Sequence, residues 1–451
     1  MESKLIQSSQ RYLVHFIKKF KYLDFCLNEL ESLADMHGVK RDQLFVQPKE
    51  TLNNIQKNPM VYVNLPSEDV ANRILTRSIL IKEIIDVYST GKTYEELLLN
   101  VNKERLYPIL QLDKTFKFSI EGIGRKIQQA EQIKIIESFG IFPFNKKIDI
   151  KHGEITYRVL ENNEDHMIYF GREIASNRVE EDTFHFKYDL KNRPYLGPTS
   201  TDSQLAFLMA NQGQVKEGDF VYDPFVGTGS IAVACSHFKC QQYGSDLDIR
   251  VLKGYGVGRK SKNLNIPGLD KIQRFDLFCN FDHYNIPRPE ILVSDFSKPP
   301  FINNRGAIFD AIVCDPPYGV RARTQKIGIS DTKQKRKERL EQEKVQKQSQ
   351  DEDESKQQED TQPEKEEEPH YSMKEQYDVR EIYNDLLDHA SRLVRPGGRL
   401  VFLFHTDSEL TAEENRFPEH PAFEFICSSE NGLTKHRSRH LITMVRKSNQ
   451  I

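Results

Sequence analysis

The sequence has few cysteines and no long apolar run. Its six cysteines form neither a Cys-x-x-Cys pair nor a His/Cys grouping at the spacing of zinc ligands. This pattern excludes the common zinc modules and favours reduced thiols over a disulfide framework. No apolar stretch is long enough for a membrane span, and the first residues lack the apolar segment of a secretory signal. We therefore expect a protein of the cytosol or nucleus, and we predict the cytoplasm.

The chain also has little net charge, −3 from 64 basic and 67 acidic side chains. A near-neutral average is unusual for a nucleic-acid binder, but one acidic stretch can mask basic surfaces elsewhere. Residues 324–370 are such a stretch, because they contain almost no aliphatic or aromatic side chains. They cannot bury enough apolar surface to offset the entropy lost on ordering. We expect them to be a disordered charged insertion.

The length of 451 residues indicates two or three domains. In the amino-terminal part, short strand-like and helical patterns alternate without a glycine-rich loop, which predicts an α+β module. The predicted strands are 12–16, 60–63, 115–120 and 154–157, and the predicted helices are 23–36, 79–85 and 127–139. Basic residues gather between the later elements, at Arg125, Lys126, Lys134, Lys146, Lys147 and Lys151. They could face phosphates or simply be a solvated face, and the sequence leaves both open.

From residue 219 the pattern becomes that of a doubly wound α/β domain. Four strand-like stretches each end in an aspartate, namely Asp223, Asp246, Asp295 and Asp315. Ligands bind at the carboxyl ends of the strands in an open parallel sheet. We therefore expect the four acids to face one crevice. A helix at 377–393, a tight turn at 396–398 and strands at 399–404 and 439–445 complete the predicted domain.

A glycine turn, Asp223 to Ser230, follows the first strand of this domain. Gly227 and Gly229 let the backbone turn sharply and approach a bulky ligand, and the following helix offers its positive end. The turn has neither the GxGxxG spacing of dinucleotide sites nor a Walker lysine. The turn therefore predicts a ligand site that is neither a dinucleotide site nor a Walker-type phosphate site.

The next two strand ends supply further candidates. Asp246 stands where an acid accepts hydrogen bonds from ribose hydroxyls, and its neighbour Asp248 is the less favoured choice. At the third strand end, Asp295 can accept from an adenine amino group and Phe296 can cover the ring. The alternative for Asp295 is an ordinary helix N-cap before Ser297.

The run Asp315-Pro316-Pro317-Tyr318 suits methyl transfer to an exocyclic amine. Such an amine is a poor nucleophile because its lone pair is delocalised into the base. Asp315 and the carbonyl of Pro316 can accept its two N–H bonds and aim the lone pair, and Asp315 can take the released proton. The prolines hold the loop rigid, and Tyr318 can stack on a base that has left its helix. A plain structural stop would explain the prolines but not the flanking residues.

The chain resembles the catalytic subunits of eukaryotic tRNA (guanosine-10-N2)-methyltransferases, members of the THUMP-domain methyltransferase family. The resemblance is carried by four segments, 193–200, 208–212, 223–230 and 315–322. It implies a ferredoxin-like and THUMP RNA-binding region at 1–185, followed by a Rossmann-like class I methyltransferase domain at 186–451. It also implies the cofactor S-adenosyl-L-methionine and two partners, tRNA and a small zinc-binding activator subunit.

The resemblance assigns site residues by their position in the matching motifs. The cofactor would contact Asp223, Phe225, Gly227, Gly229, Asp246 and Asp295, and residues 199–202 would close over it. Phe296, from its place at the third strand end, is a further cofactor-binding candidate. The catalytic residues would be Asp315, Pro316, Pro317 and Tyr318. No metal site is implied in this chain.

Two other functions stay open at this point. An adenine N6 methyltransferase acting on RNA or DNA uses the same Asp-Pro-Pro-Tyr chemistry, but the amino-terminal module and the run from Tyr195 to Ser200 favour tRNA guanosine. A non-catalytic RNA-binding scaffold is the alternative from another class. The intact Asp223, Asp315 and Tyr318 argue against it, because a scaffold has no physical need for all three.

Overall fold

The computed structural model describes residues 10–18, 20–52, 55–177, 184–255, 258–263, 265–301, 306–319, 324–327 and 374–448. Most of the expected charged insertion therefore lies outside the described residues, as do residues 320–322 of the last matching segment. Within the insertion, residues 325–327 form a short strand instead of a disordered start.

The amino-terminal half forms a six-stranded sheet in the order β2-β1-β3-β6-β5-β4. Its strands are β1 Gln10–Phe16, β2 Met60–Leu65, β3 Ile81–Gly91, β4 Phe116–Ile123, β5 Ile155–Asn162 and β6 Met167–Ser176. Strands β4 and β5 pair in parallel, and the other pairs are antiparallel. The helices of this half are α1 Cys26–Asp35, α2 Arg41–Leu44, α3 Glu68–Arg77, α4 Tyr94–Leu99, α5 Lys103–Leu110 and α6 Gln129–Ser138. The predicted α+β character is correct.

The helix predicted at 79–85 is wrong, because this segment enters β3. The preceding helix α3 ends at Arg77, and Ser78 follows in an extended conformation. The apolar run fits a helix and a strand equally well, and Glu83 looks like its solvent-facing position. Glu83 is instead buried, and its carboxylate pairs with Arg158 of β5. Because the buried Glu83 has the appearance of a surface residue, the sequence pattern did not reveal the strand.

The carboxyl-terminal half forms a seven-stranded sheet in the order β11-β9-β8-β12-β15-β17-β16. The first five strands run parallel, and β17 lies antiparallel between β15 and β16. The strands are β8 Phe220–Asp223, β9 Gln241–Asp246, β11 Glu290–Val293, β12 Phe309–Cys314, β15 Val394–Asp407, β16 Phe423–Gly432 and β17 Arg437–Arg446. Two short pairs flank the sheet, β7 Tyr195–Leu196 with β10 Arg259–Lys260, and β13 Gln325–Ile327 with β14 Lys374–Gln376.

In the described part of this half, five α-helices accompany the second sheet: α7 Ser203–Gln212, α8 Ser230–His237, α9 Ile249–Lys253, α10 Leu277–Tyr284 and α11 Val379–Leu393. The predicted turn at 396–398 lies inside β15, where Gly397 takes a φ of +79° and the register against β12 is irregular. Strand β16 was not predicted, because its alternation is broken by a register shift between Phe425 and Cys427. None of the described helices combines the length and the apolar character needed to cross a bilayer.

The two halves pack against each other through α1 and α7. Nearly every residue of α7 is buried, and Leu30 and Leu33 of α1 belong to the same hydrophobic cluster as Phe207 of α7. Polar contacts cross the same interface, since the Ser32 hydroxyl donates to the carbonyl of Asn211 at 2.7 Å. Helix α7 begins directly after residues 199–202, so this packing also fixes that segment.

Candidate active site

A cavity of about 420 Å³ opens at the carboxyl ends of β8, β9 and β12. Most of the predicted site residues line it, namely Asp223, Phe225, Gly227, Asp246, Phe296, Asp315, Pro316, Pro317 and Tyr318. The glycine turn and the Asp-Pro-Pro-Tyr run therefore face the same space. Gly229 and Asp295 are not among the residues that line it. Among the described residues, no cluster of three or more His, Cys, Asp or Glu side chains suits a metal ion.

The glycine turn holds one of the acids in place. Gly227 and Gly229 have φ values of +52° and +82°, in the left-handed region that favours glycine. The Gly227 N–H donates to Asp246 Oδ2 at 3.0 Å, and the Asp248 N–H donates to Asp246 Oδ1 at 2.8 Å. Each oxygen keeps a second lone pair for a ligand. The carboxylate of Asp246 is thus oriented before anything binds.

Four aspartates line the cavity, together with the cations Arg250 and Lys374. Asp223 is 1% exposed, and its Oδ1 accepts from the Phe225 N–H at 3.0 Å. Burial raises the pKa of Asp223 well above its usual range, and repulsion from Asp315 and Asp246 raises it further. Burial raises the pKa of Asp246 as well. A cation bound beside Asp223 and Asp246 would favour their ionised forms, so these two carboxyl groups suit a positively charged ligand.

Asp295 lies beside the cavity with both carboxylate oxygens already engaged. Oδ1 accepts from the Ser297 N–H at 2.9 Å and from its hydroxyl at 2.8 Å. Oδ2 accepts from the Ile327 N–H of β13 at 2.7 Å. Residues 296–298 form a turn and not a helix, so the N-cap alternative for Asp295 is wrong and its contact with Ser297 is that of an Asx turn. The adenine role of Asp295 stays a prediction. Its neighbour Phe296 does line the cavity and packs against Phe225, with 4.6 Å between ring centroids.

The Asp-Pro-Pro-Tyr run begins where β12 ends. Asp315 Oδ2 lies 3.5 Å from the Thr201 hydroxyl, whereas Asp315 Oδ1 is buried without a hydrogen-bond partner among the described residues. The Tyr318 ring stacks on the imidazole of His405, with 3.7 Å between centroids and 22° between planes. His405 Nε2 lies 3.6 Å from Asp315 Oδ1.

Sequence reasoning missed several residues of this site. His405 follows the apolar run of β15, the strand beside β12, so a polar residue at that strand end was the available signal. His405 contacts Asp315 and Tyr318 but does not line the cavity, whereas Lys374 and Tyr377 do line it. Lys374 and Tyr377 come directly after the long charged segment, and no local motif marks them.

Residues 199–202 divide between the cavity and the amino-terminal half. Thr199, Ser200 and Thr201 line the cavity. Asp202 caps α7 and accepts from the Tyr22 hydroxyl at 2.7 Å and from Lys21 Nζ at 3.0 Å. The amino-terminal half therefore anchors one wall of the site.

Comparisons with known proteins match both halves of the chain. A family model described as the Tmrp11 THUMP N-terminal domain matches residues 10–178, and one described as an RMKL-like methyltransferase domain matches residues 191–342. The tRNA (guanine(10)-N(2))-methyltransferase TRMT11 of Pongo abelii is 34% identical over 448 residues, which cover 96% of this chain and 88% of that protein. The Homo sapiens protein of the same name is 33% identical with the same coverage. The chain belongs to the tRNA (guanine(10)-N(2))-methyltransferase family.

Among solved structures, TrmN from Thermus thermophilus aligns with a TM-score of 0.40 and 15% identity, covering 97% of this chain and 100% of that one. Membership of the tRNA (guanine(10)-N(2))-methyltransferase family confirms the predicted fold class, a methyltransferase domain preceded by a THUMP region. It also confirms that the chain is an enzyme of the methyltransferase class, and it disfavours the non-catalytic scaffold.

Proposed function

We propose that this chain transfers a methyl group from S-adenosyl-L-methionine to the exocyclic N2 amine of a guanosine in tRNA. The observation that carries the proposal is that the Gly227 turn and the run from Asp315 to Tyr318 line the same cavity. The relatives named as tRNA (guanine(10)-N(2))-methyltransferases support the choice of base and of RNA. They also make an adenine N6 activity the weaker candidate.

The residues around the cavity fit this cofactor. S-adenosyl-L-methionine would supply an electrophilic methyl group on a positively charged sulfur. The acids Asp223 and Asp246 favour such a cation, and the turn at Gly227 leaves room for close approach of a ligand. Asp246 offers its free lone pairs to ribose hydroxyls, and Phe225 with Phe296 offers an apolar surface for a ring.

The catalytic run would prepare the amine. Asp315 accepts one N–H bond and the Pro316 carbonyl accepts the other, so the nitrogen lone pair is directed away from the base plane. The amine proton then passes to Asp315. Tyr318 presents an aromatic face on which the extruded base can stack.

The amino-terminal half would bind the RNA. Two of the six clustered basic residues are already paired, Arg125 with Glu131 and Glu161, and Lys146 with Asp113. The remaining four are exposed and have no ion-pair partner among the described residues: Lys126, Lys134, Lys147 and Lys151. These four are the candidates for phosphate contacts, with a salt-dependent affinity for tRNA as the consequence.

The small zinc-binding activator subunit would dock on the open edge of the second sheet. Strand β11 is the edge strand, and its Leu292 and Val293 are 44% and 54% exposed. Beside it lies a groove of about 920 Å³ whose lining includes Leu277 and Phe278. An exposed apolar edge is a place where another chain can add a strand.

We also place the chain in the cytoplasm, since its six cysteines are free thiols.

Methyl transfer from labelled cofactor to bulk tRNA, with and without the activator subunit, tests the activity. Nucleoside analysis of the product should show N2-methylguanosine; methylated adenine or an unmodified tRNA would overturn the proposal. Asp315→Ala should lower the rate at least about 100-fold while cofactor binding persists. Asp388→Ala, at an exposed position that lines neither the cavity nor the groove beside β11, is the matched control.

The docking edge has its own test. Leu292→Glu should abolish co-elution with the activator subunit, because a charge would then lie on the apolar edge. Phe425→Glu is the control on the opposite edge strand β16, where Phe425 is 49% exposed. If Phe425→Glu lost co-elution and Leu292→Glu did not, the activator subunit would dock on β16 and not on β11.

A further inference from the structure

Two buried polar atoms at the catalytic run face each other without a hydrogen bond. Asp315 Oδ1 and His405 Nε2 each lack a hydrogen-bond partner among the described residues. They lie 3.6 Å apart, just beyond hydrogen-bond distance. Leaving both unsatisfied is costly, because each has lost its water. A small movement of either side chain would pair them.

The second contact of His405 is with the stacking residue. Its imidazole lies almost parallel to the Tyr318 ring, with centroids 3.7 Å apart. Tyr318 therefore has one face covered by His405 and only its other face available to a base. The histidine thus touches two members of the run, and both contacts come from one ring.

The strand that carries His405 fixes its position. Residue 402 of β15 pairs with Cys314 of β12, so His405 projects just beyond the end of β12, beside Asp315. Tyr383 of α11 donates its hydroxyl to the carbonyl of Leu403 at 3.3 Å, which secures the end of the strand. On β17, His405 is in register with Arg439, and that guanidinium is held by Asn431 and Asp202.

We infer that His405 is a positioning residue: it donates from Nε2–H to Asp315 Oδ1 and supports the ring of Tyr318 from behind. This inference rests on the proposed function. The bond would hold the carboxylate so that Oδ2 meets the substrate amine. The stacked imidazole of His405 would hold the Tyr318 ring in the orientation on which an extruded base can stack.

The two contacts can be separated by two substitutions. His405→Phe keeps an aromatic ring on Tyr318 but removes the N–H donor, whereas His405→Gln keeps an N–H donor but removes the ring. His405→Phe should lower kcat about 10- to 100-fold with an unchanged KM for tRNA. His405→Gln should keep kcat within a few-fold of wild type and raise the KM for tRNA, because the support of Tyr318 is lost.

Controls separate this role from a general loss of structure. Both variants should bind S-adenosylhomocysteine with wild-type affinity in calorimetry and should unfold at the wild-type temperature. Equal kcat and KM in wild type and both variants would overturn the inference alone, and so would a parallel loss of kcat in both variants with weakened S-adenosylhomocysteine binding. A wild-type enzyme that methylates no tRNA would overturn the proposed function as well.

Discussion

At the scale of single residues, Gly227 has two roles that can be tested separately. It adopts the left-handed conformation of the turn, and it lines the cavity. Gly227 has a φ of +52°, and a Cβ added to it would meet protein only at 3.9 Å, so the new methyl group would occupy the cavity side. Gly218 has a φ of +84° with nothing within 4 Å of an added Cβ. It lies before β8 and does not line the cavity. The two glycines share the backbone strain but not the ligand contact.

Gly227→Ala and Gly218→Ala should therefore both destabilise the chain by about 1–2 kcal/mol, the cost of a side chain in the left-handed region. Gly227→Ala alone should also weaken cofactor binding, by about 1–3 kcal/mol of overpacking. Chemical denaturation measures the first effect and calorimetric titration with S-adenosylhomocysteine the second. Equal cofactor affinity in the two variants would show that Gly227 does not face the ligand.

The sequence could predict a site residue where a motif lies on contiguous positions. The turn around Gly227 and the run starting at Asp315 are such motifs, and both line the cavity. The sequence could not show that Asp295 is bound by Ile327, since that contact spans 32 positions. Nor could it show His405, whose place beside Asp315 depends on which strands are neighbours.

At the scale of secondary structure elements, β3 carries a buried charge that its neighbours stabilise. Burial by itself would raise the pKa of Glu83, but hydrogen bonds from His15 and the Arg158 guanidinium outweigh it and lower the pKa. Arg158 donates from Nε to Oε2 at 2.6 Å, and His15 Nδ1 lies 2.9 Å from Oε1. The sheet therefore contains an ion pair on which three strands converge.

Glu83→Gln should destabilise the chain by about 3 kcal/mol at neutral pH, because the buried Arg158 then keeps only the partly exposed Glu121 as a carboxylate partner. A lowered pKa means that the wild-type advantage is full above the unfolded value of 4.5 and declines as the pH falls below it. Urea denaturation between pH 7 and pH 3 should show the two proteins converging. Glu217→Gln, at an exposed surface pair, should change little at any pH.

Elements were predictable where one hydrophobic period dominates. The helix expected at 377–393 appears as Val379–Leu393, with Leu386 and Leu387 buried against the sheet. Strand β3 was not predicted, because its buried Glu83 resembles a surface position and its apolar run fits a helix as well as a strand. A partner strand 75 residues away supplies Arg158, and single-sequence patterns do not contain that information.

At the scale of the whole molecule, α1 joins the two sheets into one unit. Arg399 of β15 donates from Nη2 to Asp35 Oδ2 at 2.7 Å and from Nη1 to the carbonyl of Gln212 at 2.9 Å. Asn28 donates to the Ser428 carbonyl at 2.9 Å and to the Ser429 hydroxyl at 2.6 Å. Three of these bonds tie α1 of the amino-terminal half to β15 and β16 of the second sheet, and all four are buried or part-buried. A change at α1 should therefore affect both sides of the interface.

Asn28→Ala should therefore lower the stability of both sheets together by about 1–3 kcal/mol, since it leaves buried partners on β16 unpaired. Hydrogen exchange should show amides of β3 and of β12 losing protection to the same extent, as expected of one cooperative unit. Asn64→Ala, which removes a hydrogen bond to the Gln43 carbonyl within the amino-terminal half, is the control and should have a smaller effect. If only β3 exchanged faster in the Asn28 variant, the two halves would be independent units and not one cooperative unit.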